Sequence, residues 1–216
     1  MKRVLLFTSI AIILASCSSG PTFELEVNIH NNSSLLNKKF IVRQKIDGTV
    51  VYSDTTKIKK DRFLLKIPYK GTALLDIAIP TSNINNILMV AEEGTLQLNI
   101  DGSKSILGGT VINERIQAFY NGNDSIGLIF DHIDKEYESK LKDNLVTPQI
   151  RDEYTTHRRQ LLKENTDRII AFIRENIDNP IGEYYFMTRY ITMPYERKLE
   201  MNGFATEKLK KEFGLQ

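Results

Sequence analysis

The chain of 216 residues sets 29 lysines and arginines against 27 aspartates and glutamates, for a formal charge of +2. Two of the cations, Lys2 and Arg3, sit at the very start, so the remainder is balanced; that excludes the basic stripe nucleic-acid binding needs and any strong field for steering charged ligands. Cys17 is the single cysteine, which excludes internal disulfides and leaves stability to a packed core, for which this length suffices.

Behind Met1-Lys2-Arg3 runs an apolar segment from Val4 to Ala15, interrupted by Thr8 and Ser9. A basic start, a short apolar stretch and small residues at its end form a secretory signal peptide, and the run falls short of the ~20 residues a membrane span requires. Its last residues, Leu14-Ala15-Ser16-Cys17, resemble the lipobox of bacterial lipoproteins. The resemblance implies cleavage between Ser16 and Cys17, a diacylglycerol on the cysteine sulfur and acylation of the new amino group. Several acyl chains make a stable membrane anchor, because each buried methylene contributes roughly 0.8 kcal/mol. Residues 1–16 are thus expected to be the signal, and residues 17–21 a lipidated tether.

From Phe23 the pattern alternates strictly. Phe23, Leu25, Val27 and Ile29 are apolar while Glu24, Glu26 and Asn28 are polar, as in a strand with one wet face. Phe40 to Ile46 forms a second strand and runs into Asp47-Gly48, a dipeptide suited to a tight hairpin, from which Thr49 to Ile58 returns. Further strands are predicted at Phe63–Ile67, Ala73–Ile79, Ile87–Val90, Thr95–Ile100 and Ser105–Gly108. Short strands joined by hairpin turns predict an antiparallel β-sandwich or a barrel-like sheet over residues 22–110.

At Gly108-Gly109-Thr110 the period changes from two to about 3.6, and residues 111–216 read as all-helical, packed on or beside the sheet. The predicted class is α+β. Ile112, Ile116 and Phe119 recur at helical spacing; Asn121-Gly122-Asn123-Asp124-Ser125 and Gly127 are expected to break that helix before a second one from about Leu128 to Lys142. Thr147-Pro148 supplies a capping hydroxyl and a proline at the first helical position. The long helix it opens places Ile150, Tyr154, Leu161, Leu162, Ile169, Phe172 and Ile173 on one side, a stripe that needs a partner surface. Asn179-Pro180 starts the next helix, and shorter ones are expected near Tyr195–Met201 and Thr206–Phe213.

Candidate chemistry is thin. His132 lies between Asp131 and Asp134, but neighbouring helical positions diverge by about 100°, so a surface helix is the plainer reading. His157 is placed near the apolar side of the long helix, half-buried, and His30 in a turn after the first strand. Glu92-Glu93 marks a hairpin tip whose acids diverge into solvent. Asn121 to Ser125 lacks the ligand spacing and closing glutamate of a calcium loop. No metal, cofactor or nucleophile motif is present. The aromatic residues Tyr184, Tyr185, Phe186, Tyr190 and Tyr195 admit two readings: a core for the last helices, or an exposed surface where a partner docks.

Several stretches together resemble a known family. Asp61-Arg62-Phe63, the Glu93-Gly94 turn, Leu107-Gly108-Gly109-Thr110-Val111-Ile112-Asn113, Phe172-Ile173-Arg174-Glu175-Asn176 and Asn179-Pro180-Ile181-Gly182 look like an uncharacterised N-terminal domain of Bacteroidota lipoproteins. In many members that domain precedes a thioredoxin-like module, in what are called thiol–disulfide interchange proteins. The resemblance implies the fold of the non-catalytic domain, expected here without the module. It does not carry over the redox activity, which needs two cysteines, and no position here matches a catalytic residue. Some Bacteroidota lipoproteins resemble one another in carrying acidic residues after the cysteine as a signal for export to the cell surface; Ser18-Ser19-Gly20-Pro21 has none, which favours an outer-membrane protein facing the periplasm. The expected function is a lipid-anchored, non-catalytic binding or scaffolding module with a protein partner in the envelope. An accessory to periplasmic thiol–disulfide exchange, working with a separate thioredoxin-like protein, is the alternative, and a hydrolase with an unrecognised site a further one.

Overall fold

A computed structural model describes residues 20–215, in which eight strands are followed by five helices. The expected signal, with Ser16, and the expected lipidation site Cys17 lie outside the described residues. β1 (Thr22–His30), β4 (Arg62–Pro68), β7 (Thr95–Asp101) and β8 (Lys104–Gly108) form one sheet in the order β4-β1-β7-β8. The other, in the order β3-β2-β5-β6, holds β2 (Lys39–Ile46), β3 (Thr49–Lys57), β5 (Ala73–Ala78) and β6 (Ile87–Ala91). Each sheet keeps two free edges, so neither closes into a barrel.

The alternation of β1 is realised as burial: Phe23, Leu25, Val27 and Ile29 are buried, and the polar residues between them are half-buried. The two sheets meet across a shared core. Phe40 of β2 packs edge-on against Phe63 of β4, with ring centres 5.3 Å apart, and Gln44 Nε2 of β2 donates to the Pro68 carbonyl of β4 at 2.7 Å. One pairing departs from the antiparallel expectation. β1 runs parallel to β7, with Val27 opposite Leu98. Alternating polarity is the same for either direction, and partners this far apart in sequence have no turn to announce them.

The helices form a further layer. α1 (Val111–Lys142) starts against β8 and β6, and α3 (Pro180–Tyr190) packs on β5 and β6. α2 (Pro148–Glu175), α4 (Tyr195–Asn202) and α5 (Glu207–Phe213) complete it. Their starts follow the sequence: Thr147 Oγ1 accepts from Ile150 N–H at 3.2 Å, Asn179 Oδ1 from Ile181 N–H at 3.1 Å, and Thr206 Oγ1 from Leu209 N–H at 3.3 Å. Each hydroxyl or amide oxygen satisfies an N–H that has no partner within its own helix. Lys208 of α5 bridges Asp47 of the β2–β3 turn and Glu183 of α3. Buried side chains run continuously from Phe23 and Leu98 to Ile173, Phe186 and Leu209.

The expected helix break at residues 121–127 does not occur; α1 is continuous through it. The reason lies in α2. The Arg168 guanidinium rests where a Cβ on Gly122 would stand, only 1.9 Å from that position. It donates to the Phe119 carbonyl at 3.1 Å and to Asn123 Oδ1, and lies over the Phe119 ring. Gly122 therefore marks a close approach of two helices rather than an end.

Past that point α1 and α2 continue as a pair. Ile133 and Leu161 are buried there, apart from the main core. Tyr137 stacks on Tyr154 at 4.0 Å, and Asp134 takes Arg158 Nη1 at 2.5 Å and Tyr154 Oη at 2.9 Å. Two expectations for α2 are corrected here. Leu162 is 52 % exposed, because a helix with one helical partner buries only a narrow seam, and Leu161 fills it. His157 is exposed rather than half-buried, for the same reason. No helix among the described residues is long and apolar enough to cross a membrane.

Candidate binding cleft

The start of α1 closes the gap between the free edges of the two sheets. Asn113, fully buried, accepts from Val90 N–H through Oδ1 and donates to the Val90 carbonyl through Nδ2, both at 2.9 Å. A carboxamide offers one acceptor and a pair of donors, and the second donor reaches Thr110 Oγ1 at 2.8 Å. One turn later Gln117 Oε1 accepts from Leu107 N–H of β8 at 2.7 Å. Two side chains on one face of α1 thus stand in for missing strands, one at each sheet edge.

Beyond Gln117 the helix draws away from the sheets and the gap opens into a cleft of about 820 Å³. Its far walls are Asn85, Asn86 and Ile87 at the start of β6, and Ser103 to Ile106 at the start of β8. The α1 wall continues the sealing face through Tyr120, Asn121, Asp124, Gly127, Leu128 and Asp131. Gly127 has open space where a side chain would be, which widens the cleft at its centre.

The cleft is lined mainly by amides and hydroxyls, with Lys104 on one wall and Asp124 and Asp131 on the other. Ile106 and Leu128, 43 % and 70 % exposed, add apolar surface. Neutral hydrogen-bonding groups beside apolar surface fix and orient a ligand. The phenol of Tyr120 is pushed far above its usual range by burial, with Tyr185 beside it adding to the effect, so it stays neutral. Burial also pulls the Arg168 guanidinium down; Arg168 holds Asn123 while Gln117 Nε2 donates to Asn121 Oδ1 at 2.7 Å, so parts of this wall are fixed in advance.

The structure scatters the residues the sequence singled out. His30 ends β1, rather than standing in a turn, and His132 and His157 are exposed on α1 and α2. Glu92 and Glu93 do not form the expected hairpin tip, because β6 and β7 belong to different sheets; Glu93 is exposed, and Glu92 is half-buried with one carboxylate oxygen buried without a partner. No group of three or more potential metal-ligating side chains comes together among the described residues. Tyr184 and Tyr185 are half-buried, and Tyr185 packs edge-on against Phe119 and Phe172. Tyr190 stacks on buried Phe186 and its hydroxyl donates to Asn202 Oδ1 at 2.8 Å. Tyr195 is 71 % exposed.

Sequence reasoning missed the cleft. Its walls come from three separated segments, and the one available signal was the density of Asn, Gly and Asp inside an otherwise helical stretch. Compared with known proteins, the chain matches no family model, no curated protein and no solved structure.

Proposed function

We propose that the chain is a lipid-anchored protein of the bacterial envelope, held at the membrane through Cys17, whose folded part is a non-catalytic binding module using the cleft beside α1. The two facing sheets are read as a β-sandwich, and the module as a relative of the Bacteroidota domain its motifs resemble. The observation that carries this reading is the cleft itself: about 820 Å³ of open space between two sheet edges and a helix, lined mainly by neutral hydrogen-bonding groups, with Lys104 on one wall and Asp124 and Asp131 on the other. Such a lining suits recognition. The basic start and Leu14-Ala15-Ser16-Cys17 support the address, and the balanced charge argues against nucleic acid as the ligand.

A photo-crosslinking side chain at Leu128 tests the reading in intact cells. Adducts are expected from Leu128 and not from Leu145, which is exposed on the connection between α1 and α2. Equal labelling at both positions would count against a binding role for the cleft.

A second reading, an accessory to thiol–disulfide exchange that docks a separate thioredoxin-like protein, draws on α4. Tyr195 and Leu199 lie one turn apart there and are both exposed, an apolar pair suited to a partner contact. Altered redox phenotype in a Tyr195→Ser strain would favour it.

A further inference from the structure

One wall of the cleft is a strand edge as well as a row of side chains. On its inner side β8 pairs with β7, with Ile100 opposite Ser105 and Leu98 opposite Leu107. The Leu107 N–H is turned the other way, since it donates to Gln117 Oε1. In an antiparallel pair the outward backbone groups recur at every second residue, so the N–H and C=O of Ser105 also point away from β7. Ser105 lines the cleft, and among the described residues no turn or loop hydrogen bond reaches its outward N–H or C=O. Gln117 occupies the place an added strand would take at Leu107; at Ser105 that place is open.

The opposite wall supplies complementary chemistry. Asp124 and Asp131 stand on α1, Gly127 between them leaves room for a chain to pass, and Leu128 offers exposed apolar surface. We infer that the cleft takes an extended peptide, laid along β8 as an added strand, with a basic side chain directed at the two carboxylates of α1. This rests on the reading that the cleft is the binding site and names what it binds. A peptide meets both demands at once: one of its residues can pair its N–H and C=O with the two outward groups of Ser105, and its alternate side chains reach the helix wall. A sugar would use the side-chain amides but lacks the backbone period to pair with Ser105.

The test pans a library of random peptides on the full chain in detergent micelles, beside a panel of neutral oligosaccharides. The same is done for Gly127→Leu, which fills the cleft at a position with no neighbouring atoms and leaves α1 with a better helix former. An unchanged far-UV spectrum confirms that this variant is folded. The expected result is enrichment of peptides with lysine or arginine at alternate positions, lost on Gly127→Leu. Methylating the backbone nitrogens on one edge of a recovered peptide should weaken it by about tenfold, the worth of one net hydrogen bond, and binding should slow amide exchange at Ser105. Oligosaccharides bound in a Gly127-dependent way, with no such peptides, would leave the cleft a binding site and overturn the peptide. Neither probe depending on Gly127 would overturn both. A backbone-methylated peptide binding as well as its parent would overturn strand addition.

Discussion

Asn113 holds Val90 by both of its backbone groups, its carboxamide accepting from the N–H and donating to the carbonyl at 2.9 Å each. The helix side chain thereby completes the edge of β6 as a neighbouring strand would, in a place water does not reach. This contact joins the helical half of the chain to the sheets, and the cleft begins just beyond it.

Asn113→Ala leaves two buried peptide groups without partners. At roughly 1–3 kcal/mol for each unsatisfied group, the loss should be about 2–6 kcal/mol, read as a lower midpoint in urea unfolding. Asn113→Asp keeps the acceptor but loses the donor when ionised. Burial and the facing Val90 carbonyl raise the pKa of the new carboxyl in the folded state, so its stability is retained at low pH and lost as pH rises through that value. A variant of unchanged stability at both ends of the pH range would show that the contact is dispensable.

Two glycines in one helix should respond differently to alanine. At Gly122 the added Cβ meets the Arg168 guanidinium, and displacing that group from the Phe119 carbonyl and Asn123 should cost about 1–3 kcal/mol, which offsets or outweighs the helix-propensity gain of about 1 kcal/mol. At Gly127 it meets nothing within 4 Å, and the gain in helix propensity should stabilise by about 0.5–1 kcal/mol. Combining Gly122→Ala with Arg168→Ala should recover part of the loss. Additive effects in that cycle would mean the two residues do not interact.

The Asp134 carboxyl is held below its ordinary value by the hydrogen bond from Arg158, with the Tyr154 hydroxyl and the Arg158 charge assisting. A folded-state pKa below the unfolded one contributes stability that is present above about pH 4 and lost as pH falls through the depressed value. The wild-type chain should therefore lose stability on acidification through that window more steeply than Asp134→Asn. The effect should shrink in high salt, because the pair is partly exposed. Parallel urea titrations at about pH 5 and about pH 2.5 make the comparison.

Cys17→Ala should abolish labelling by palmitate and release the chain from the membrane fraction. Since a single acyl chain gives only marginal attachment and several give a stable one, the change should be from complete retention to complete release. Continued labelling would refute lipidation at this cysteine.

The strands were readable because alternation is a local property: Phe23 to Ile29 bury every second side chain wherever their partners come from. Helix starts were readable for the same reason, as Thr147, Asn179 and Thr206 cap N–H groups only two or three residues away. The address proposed from residues 14–17 likewise rests on a short linear pattern. What those residues could not specify was which edge meets which. Alternation does not tell that β1 runs parallel to β7, and Gly122 looks like a helix breaker until Arg168 arrives from α2 to occupy its missing side chain. The cleft belongs to this second kind, since Asn86, Ser105 and Asp124 become neighbours only when two sheet edges and a helix converge. Local patterns set the elements because their physics acts within a turn or a strand pair, whereas the site depends on distant surfaces, whose matching is decided only when the whole core is packed.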